Sequence, residues 1–371
     1  MSLNKKINIV SFDVPFPPNY GGIIDVFYKI KALKELGIKI YLHTFEYGSG
    51  EQNELLNFCE KVYYYKRNLG MKNLFSKLPY IVKTRDNQKL INNLLTNDFP
   101  ILFEGLHSTS PLLKINFSNR KTIVRAHNIE HKYYYGLAKS ETNLFKKLFF
   151  ISEAIKLKYY ETILNKVNFI LPISPLEQEY FSLLFSTKSI YTPAFQGNTK
   201  VDSKQGKGNY AVYNGDLRVV DNIKACYFLI KIFSNIEYPL IITSNFENKK
   251  IRSKIKKYNN ITFRKISDKP EMLILLSNAH INILPTFQNT GIKLKLINAL
   301  FISRFCLANN AMVNNTGLEN LCLIANTTKE FTHKINQLIN ENFTQKEIIE
   351  REKVLTVFNS KVNALKITEL I

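Results

Sequence analysis

The sequence predicts an α/β protein of two doubly wound domains, each built on a parallel sheet. Short apolar runs such as Ile7–Phe12 and Ile38–Thr44 alternate with longer amphipathic stretches, which is typical of parallel α/β architecture. The chain has 371 residues, too many for one ordinary core. A polar segment without a hydrophobic period, Phe195–Asn209, divides the alternation into two series and predicts a linker.

The first series contains six candidate strands. A helix over about Gly22–Leu36 has apolar residues at helical spacing, and Gly37 is a natural residue to end it. A long helical stretch, about Glu141–Lys166, precedes the sixth strand. The six strands are Ile7–Phe12, Ile38–Thr44, Lys61–Tyr65, Ile101–Glu104, Lys121–Ala126 and Phe169–Ile173.

The second series also contains six candidate strands, and everything after Thr328 has a helical pattern. The predicted helices between the strands are Asn222–Ile236, Asn248–Tyr258, Lys269–Ser277 and Thr290–Ile302. The strands are Tyr210–Asn214, Leu240–Ser244, Ile261–Arg264, Ala279–Leu284, Arg304–Ala308 and Leu321–Ala325.

These series define the expected domains. We expect residues 1–192 to form the first domain, 193–209 the linker and 210–355 the second domain. Doubly wound sheets bind ligands outside the carboxyl ends of their strands. Two such domains facing each other across a cleft would therefore hold their ligand in that cleft.

The net charge of +21 is spread evenly along the chain. Up to Ile190 there are 26 Lys and Arg against 16 Asp and Glu, and the remainder has 25 against 14. Proteins that bind nucleic acid concentrate basic residues on one face. The even spread therefore argues against a nucleic-acid partner.

Composition also bears on location. No run approaches the roughly 20 apolar residues of a membrane-spanning helix. The run Ile7–Phe12 has no small-residue cleavage site after it, so we interpret it as a first strand and not as a signal peptide. The four cysteines are far apart, which disfavours a disulfide framework or a zinc site and fits a reducing cytoplasm; they are Cys59, Cys226, Cys306 and Cys322.

The first βα loop, Asp13–Gly22, contains three prolines and ends in Gly21 and Gly22, which open the predicted helix. Glycines at a helix N-terminus let backbone N–H groups approach a phosphate, assisted by the helix dipole. The loop therefore predicts a phosphate site. The alternative is a proline–glycine turn that binds nothing.

The fifth strand ends in the segment Arg125–His131, which places His127, Asn128 and Glu130 just past a strand end. Side chains at this position can contact a ligand. The alternative is a histidine with a purely structural role. No Ser or Cys nucleophile elbow lies beside them, so acyl transfer is not supported.

Two loops of the second series are suited to bind a diphosphate. In Asn214–Asn222, Gly215 permits a tight exit from the strand and Arg218 can face an anion. The later loop, Pro285–Lys293, leads into a helix with Thr290 as its expected N-cap. The backbone N–H groups that follow, together with an ammonium group, predict an anion site formed by Gly291, Ile292 and Lys293.

These loops resemble the motifs of glycosyltransferase family 4, whose members have the GT-B fold. The segment Pro15–Gly22 resembles the family's glycine-rich loop near the donor phosphates, and Arg125–His131 resembles its R-x-H-N-x-E segment. Asn214–Leu217, with Asn222 further on, resembles the G-x-(M/L)…N opening of the C-terminal domain. Thr290–Leu300 aligns with the donor-binding E-G-x-G-x-x-x-x-E-A helix.

The resemblance spans nearly the whole chain and implies an activity. It implies a retaining glycosyltransferase that moves a hexose from a nucleotide-diphosphate sugar to a glycan or lipid-linked acceptor, in the assembly of surface polysaccharide or glycoconjugates. It also implies that neither a cofactor nor a metal is required, and the sequence contains no Asp-x-Asp pair. The C-terminal helix, about Thr356–Ile371, would pack back on the first domain.

The resemblance also assigns site residues. Three are expected to be catalytic: His127, which would orient the sugar or an acceptor hydroxyl, with Arg218 and Lys293 on the leaving diphosphate. Donor-binding candidates are Gly21, Gly22, Gly215, Asn222, Thr290, Gly291, Ile292 and Asn298. Acceptor-side candidates are Asn19, Tyr20, Asn128 and Glu130.

One departure from the family pattern affects the donor site. Family members have two glutamates eight positions apart, where this chain has Thr290 and Asn298. The nearby Lys293 and Lys295 suggest a variant donor loop that depends more on charge. Three alternatives stay open. The first is a degenerate GT-B protein that binds sugar nucleotides without turnover, and the second is a nucleotide-sugar epimerase of the same fold, which should have more acids and histidines than these loops contain. The third is a basic nucleic-acid-binding protein, whose affinity should depend steeply on salt.

Two stretches of the first domain mix basic and aromatic residues. They are Lys61–Lys89, with eight basic residues and one acid, and Lys132–Tyr160. This mixture suits an anionic membrane surface or a lipid-diphosphate acceptor, and it predicts peripheral association with the inner face of the plasma membrane. The alternative is a solvated helix with core aromatics. The basic run Lys249–Lys257 belongs to the other domain, and we interpret it as an exposed helix face.

Overall fold

The computed structural model describes residues 5–48, 50–287 and 293–371. They form two compact units. The first comprises the described residues up to 197 and returns with residues 357–371. The second comprises residues 198–287 and 293–356.

The first unit is a six-stranded parallel sheet with the order β3-β2-β1-β4-β5-β6. Its central strands are buried along nearly their whole length, as expected for a parallel sheet covered by helices on both faces. Its elements are β1 (Lys6–Ser11), α1 (Gly21–Glu35), β2 (Lys39–Glu46), β3 (Lys61–Lys66), α2 (Tyr80–Lys83), α3 (Gln88–Leu94), β4 (Ile101–Glu104), α4 (Pro111–Lys114), β5 (Thr122–Ala126), α5 (Glu130–Ser140), α6 (Leu144–Tyr160), β6 (Phe169–Pro172) and α7 (Pro175–Phe185).

Two apolar cores cover the faces of this sheet. Because successive strand residues point to opposite faces, Ile9 joins the core beneath α1 while Val10 joins the other, which includes Leu157 of α6. Helix α1 ends before Gly37, which has φ of +81° and so takes the left-handed conformation that a helix C-terminus favours.

The second unit is a six-stranded parallel sheet with the order β12-β11-β10-β7-β8-β9. Its core joins the sheet to α8, α9, α13 and α14, with Phe233 and Phe331 among the fully buried side chains. Its elements are β7 (Ala211–Asn214), α8 (Val220–Phe233), β8 (Leu240–Ser244), α9 (Lys249–Ile255), β9 (Ile261–Lys265), α10 (Lys269–Asn278), β10 (Ile281–Leu284), α11 (Leu294–Ile302), β11 (Phe305–Ala308), α12 (Asn310–Val313), β12 (Leu323–Ile324), α13 (Thr328–Leu338) and α14 (Gln345–Leu355).

The last helix, α15 (Ser360–Leu370), belongs to the first unit. Its Ala364 and Ile367 are buried in the core beneath α1. The ammonium group of Lys5 donates to the carbonyl oxygens of Thr368 and Ile371, both at 2.7 Å. The start and the end of the described chain are therefore tied to each other within one unit.

The sequence predicted all twelve strands and both parallel sheets, and the structure confirms them. The predicted helical stretch over about Glu141–Lys166 corresponds to α6 and to a 3₁₀ helix, Glu161–Lys166, that follows it. The Asn143 side chain caps α6 by accepting from the Lys146 N–H. Among the described helices, none is both long enough and apolar enough to cross a bilayer.

Candidate active site

The strand order of the first unit reverses between β1 and β4. Doubly wound sheets bind ligands outside the carboxyl ends of their strands at such a reversal. Three side chains stand at this edge: Phe12 directly follows β1, Glu104 ends β4, and His127 directly follows β5. The predicted catalytic histidine therefore lies where the topology favours a ligand.

His127 is held by a carboxylate. Its Nε2 lies 3.0 Å from Oε2 of Glu104, and its ring meets that of Phe12 edge-on with centroids 5.5 Å apart. An ionised carboxylate only accepts hydrogen bonds, so Nε2 must carry the proton. In the neutral imidazole Nδ1 is then an acceptor, and it has no hydrogen-bond partner among the described residues. A hydroxyl group of a ligand would satisfy it.

Glu104 is in turn held by a buried lysine. The Lys29 ammonium lies 2.8 Å from Oε1 of Glu104 and 2.9 Å from Oδ2 of Asp25, and all three side chains are fully buried. Burial by itself would raise the pKa of Glu104, but the Lys29 charge and the hydrogen bond from His127 lower it below its usual range. Glu104 is therefore ionised at neutral pH.

Asp25, Glu104 and His127 also bring ligand atoms within 4.8 Å of one another, close enough to hold a metal ion. The Lys29 ammonium, however, already lies within hydrogen-bond distance of both carboxylates. The two buried carboxylates carry two negative charges, and the Lys29 ammonium together with the Arg125 guanidinium, 2.7 Å from Asp25, balances them.

Arg125 connects this cluster to the chain that leaves β6. Its guanidinium donates to both oxygens of Asp25, at 3.0 and 2.7 Å. Its remaining N–H groups reach the backbone carbonyls of four residues: Leu171, Pro172, Thr192 and Pro193. Arg125 therefore has a structural role, which fixes the carboxyl edge of the sheet around His127.

A second histidine, which the sequence analysis did not single out, lies beside Glu130. His107 follows the end of β4, and its Nδ1 is 4.0 Å from Oε1 of Glu130. Neither atom has a hydrogen-bond partner in the described part of the chain. Burial raises the pKa of Glu130 to about 8 and lowers the pKa of His107 well below its usual value, so both are neutral near pH 7.

Gly105, two residues before His107, is the sequence feature that could have identified this histidine as a candidate. Gly105 has φ of +66°, and a Cβ there would lie 2.7 Å from Nδ1 of His107. A glycine that follows a strand end and precedes a histidine by two positions indicates close approach of the ring to the backbone.

The first βα loop uses its glycines in two ways. Gly21 is the first residue of α1, and no side chain caps that helix N-terminus. A Cβ on Gly22 would lie 2.8 Å from Cζ of Phe12, so Gly22 gives space to the ring that packs on His127 and His107. Asn19 and Tyr20 are exposed, and the Tyr20 hydroxyl donates to Oδ2 of Asp13 at 2.8 Å.

Arg85 is a buried cation that sequence reasoning placed only within a basic stretch. It donates to the backbone carbonyls of Phe12 and Ile81, both at 2.8 Å. No carboxylate lies within 4 Å of it in the described residues. Burial lowers its pKa to about 9. Arg85 supplies positive charge next to the first βα loop.

The strand order of the second unit reverses between β7 and β10, and the predicted donor loops leave these two strands. A Cβ on Gly215 would lie 2.9 Å from the hydroxyl oxygen of Tyr213, so the tight exit from β7 requires glycine. Asp221 accepts from the Thr286 hydroxyl at 2.7 Å and from the Phe287 N–H at 3.0 Å. Asp221 thereby joins the two loops.

Asn222 braces the first of these loops from within. Its side-chain amide donates to the Asp216 carbonyl at 3.0 Å, and its oxygen accepts from the Tyr213 hydroxyl at 3.1 Å. The same oxygen accepts from the Lys295 ammonium at 3.4 Å. The described contacts of Asn222 therefore organise the loop.

Arg218 is exposed over 63% of its side chain and is paired with Asp216, with 2.7 Å between Nη2 and Oδ2. Its guanidinium also lies 3.6 Å from the centre of the Phe246 ring. An arginine that binds a diphosphate here would have to share its N–H groups with Asp216.

Lys295 is more enclosed than Arg218. Besides Asn222 it contacts the face of the Tyr213 ring, at 5.3 Å. No carboxylate lies within 4 Å of its ammonium among the residues described. Desolvation of the ammonium lowers its pKa to about 8. Charges removed from water are ordinarily paired, so this ammonium is suited to an anionic ligand.

The remaining donor-binding candidates are placed only in part. Lys293 directly precedes α11, and the Asn298 oxygen accepts from the Asn198 side chain at 2.9 Å. Thr290, Gly291 and Ile292 lie outside the described residues. In the first unit, Asn128 is half-buried.

Comparison with known proteins shows similarity in fold. No protein-family model matches the chain. An uncharacterized 44.6 kDa protein in the cps region of Klebsiella pneumoniae is 26% identical over 335 residues, 84% of each chain. A glycosyltransferase from Rickettsia africae superposes with a TM-score of 0.68 at 14% identity, over 99% of this chain and 98% of that one.

A second solved structure is a point mutant of S. aureus TarM in complex with fondaparinux, α-GlcNAc-glycerol and UDP. It has a TM-score of 0.65 at 12% identity over 99% of both chains. Similarity along the whole length, together with two six-stranded parallel sheets of reversed strand order, identifies the architecture. The chain has the GT-B fold of glycosyltransferases.

Proposed function

We propose that the protein is a glycosyltransferase that moves a hexose from a nucleotide-diphosphate sugar, with retention of configuration. The observation that carries this proposal is Lys295, an enclosed ammonium without a carboxylate partner in the described chain, at the strand reversal of the second unit. A solved structure of the same fold contains UDP. Membership of family 4 is part of the proposal, on the strength of the motif resemblance.

The second unit would bind the donor diphosphate. Arg218 lies two residues before α8, whose N-terminus has no side-chain cap, and Lys295 contacts Asn222 in the first turn of α8. Lys293, at the start of α11, adds a further positive charge. Charge that develops on the leaving nucleotide is stabilised by such preorganised cations and N–H groups. Because these cations belong to the protein, departure of the diphosphate requires no metal ion in this proposal.

The first unit would orient a hydroxyl group through His127. Glu104 keeps the proton on Nε2, so Nδ1 can accept a hydrogen bond from a hydroxyl of the sugar or of the acceptor. Glu130 and His107 are both neutral near pH 7 and present two further unpartnered atoms for polar contacts with the acceptor.

The acceptor that we propose is a glycan or a lipid-linked sugar, in the assembly of a surface polysaccharide or glycoconjugate. The Klebsiella relative comes from a cps region, and TarM was solved with α-GlcNAc-glycerol and UDP. A cytoplasmic location fits the four free cysteines.

The donor site is tested by titration calorimetry of the full chain with UDP, GDP and ADP in turn. We expect one of them to bind saturably. Lys295→Ala should weaken that binding by about 1.5–3 kcal/mol, the value of a charge-assisted hydrogen bond, which is tenfold or more in Kd. Lys231→Ala, which removes an exposed lysine from α8, is the matched control and should bind like the wild type.

An unchanged Kd in Lys295→Ala would remove this residue from the donor site, and absence of binding by all three nucleotides would refute the transferase proposal. Lys293→Ala tests the neighbouring lysine in the same way.

A second function, sugar-nucleotide binding without turnover, is favoured by the residues at two positions of the donor site. The two positions at which family 4 members have glutamates hold Thr290 and Asn298 in this chain. The side-chain oxygen of Asn298 already accepts a hydrogen bond from Asn198. If the chain binds a nucleotide sugar but neither transfers nor hydrolyses it over prolonged incubation, this second function is the correct one.

A further inference from the structure

An exposed apolar surface of the first unit remains outside the site described above. We call it the basic–apolar surface and define it as residues 69–77 together with α6. Met71 is 79% exposed, Phe75 89% and Phe145 83%. Further exposed apolar side chains are Leu69, Leu74, Leu144, Leu148 and Tyr159.

The structure makes these two segments one continuous surface. The Lys156 ammonium donates to the Leu74 carbonyl at 3.2 Å, and the Tyr80 N–H donates to a carboxylate oxygen of Glu153 at 2.5 Å. The Tyr80 and Phe149 rings pack edge-on, 6.2 Å apart. Only the later part of α6 enters the core, through Ala154 and Leu157, so its first turn is exposed on every side.

The charge of this surface has one sign. Residues 69–77 contain no acid, and the one acid of α6, Glu153, is fully buried and bonded to Tyr80 and Lys156. The exposed ammonium groups of Lys72, Lys77, Lys146 and Lys147 have no carboxylate within 4 Å in the part of the chain that the structure describes. The surface therefore presents apolar tips among unpaired positive charges.

We propose that the basic–apolar surface binds an anionic lipid bilayer. Apolar tips such as Phe75 and Phe145 would enter the boundary between headgroups and acyl chains while the lysines contact anionic headgroups. Each lysine near such a surface adds to the electrostatic attraction. Membrane contact does not depend on the proposed transfer reaction.

Two other occupants fit the surface less well. A second copy of the chain related by a twofold axis would place lysines opposite lysines, and lysine is depleted at protein interfaces. A nucleic acid would contact the lysines but leave aliphatic side chains such as Met71 and Leu144 in water. An anionic bilayer can contact the lysines through its headgroups and bury the apolar side chains among its acyl chains.

Helix α9 is basic, but its apolar side chains are buried. It has Lys249, Lys250 and Lys254 on its exposed face, but its Ile251 and Ile255 are buried in the core of the second unit. It therefore offers a control with similar charge and without exposed apolar side chains.

The experiment is co-sedimentation of the full chain with vesicles of phosphatidylcholine, with and without phosphatidylglycerol. We expect binding only when phosphatidylglycerol is present. Phe75→Ser/Phe145→Ser should weaken binding about tenfold or more, because it removes apolar area that the bilayer would bury. Lys146→Glu/Lys147→Glu should weaken binding to a similar extent, because it reverses two charges that face anionic headgroups. The control Lys249→Glu/Lys250→Glu changes charge equally and should bind like the wild type.

All substituted side chains are exposed, so circular dichroism should show unchanged folding in each variant. Equal loss of binding in the α9 control, or full binding by the phenylalanine variant, would overturn the proposal. So would light scattering that shows a wild-type dimer which the phenylalanine variant dissociates, because the occupant would then be a second copy. Nucleotide binding should be normal in all of these variants, so failure here is distinct from failure of the proposed function.

Discussion

At the scale of single residues, the candidate site depends on a chain of buried charges. Arg125, Asp25, Lys29, Glu104 and His127 are each within hydrogen-bond distance of the next. Removing one member leaves its neighbour as an uncompensated buried charge, which is strongly destabilising. The cluster therefore fixes both the orientation and the tautomer of His127.

Glu104→Gln tests this positioning role. An amide can donate to Nε2, so it no longer favours the tautomer with a free Nδ1 acceptor. We expect turnover to fall at least about tenfold, if hydroxyl orientation by His127 contributes as general acid–base groups do. Nucleotide affinity, which we assign to the second unit, should stay unchanged.

The control for this variant is Glu60→Gln, which removes a surface carboxylate paired with Lys34 at 3.3 Å. Nitrogen-15 NMR of the His127 ring reads the tautomer directly. Wild-type turnover in a folded Glu104→Gln protein would be inconsistent with a positioning role.

Glu130 predicts a pH effect on stability. Burial raises its pKa to about 8, against an ordinary 4.5 in the unfolded chain. The folded protein thus retains a proton that the unfolded chain releases, and the stability this provides is present at low pH and lost as pH rises through 8. Glu130→Gln should therefore gain stability relative to the wild type between about pH 5 and pH 8, on the order of a few kcal/mol.

Urea denaturation of both proteins across this pH range measures the difference. Glu179→Gln, at an exposed position of α7, should show no such pH dependence. Parallel curves for wild type and Glu130→Gln would show that Glu130 is not buried in its neutral form.

At the scale of elements, the turn from β1 into α1 combines a site predicted from its glycines with a packing contact that only the structure shows. The glycine pair predicted a phosphate site, which stays a prediction. The structure adds that Gly22 makes room for Phe12, whose ring contacts both His107 and His127. Spacing along the chain cannot show this, because the three rings come from three different strand ends.

Gly22→Ala should therefore disturb the site through Phe12. The added Cβ would lie 2.8 Å from Cζ of Phe12, and overpacking of this kind costs about 1–3 kcal/mol. Gly136→Ala is the matched control within α5, where a Cβ meets nothing within 4 Å, and it should be neutral or slightly stabilising. Thermal denaturation measures both, and equal melting temperatures for the two variants would rule out the steric role of Gly22.

At the scale of the whole molecule, the chain passes through the first unit, builds the second and then returns. The return is carried by α15, whose Ile367 is fully buried in the core beneath α1. The family resemblance implied such a return, whereas a hydrophobic pattern shows only that a helix has an apolar side.

Ile367→Ala tests the contribution of this helix to the first unit. Truncating a fully buried isoleucine costs about 2–5 kcal/mol. Leu365→Ala, at an exposed position of the same helix, should cost far less. Chemical denaturation followed by tyrosine fluorescence measures both, and similar unfolding midpoints would show that α15 adds little to the core.

The sequence by itself determined the twelve strands, their division into two parallel sheets and the loops that stand at the carboxyl ends of those strands. These follow from local periodicity and from the rule that βα units wind in one direction. Only the tertiary structure decided which side chains meet there: Glu104 under His127, His107 beside Glu130, and Lys295 against Asn222. Such pairs join residues far apart in sequence, and their contacts depend on strand order and side-chain direction, which no local pattern records.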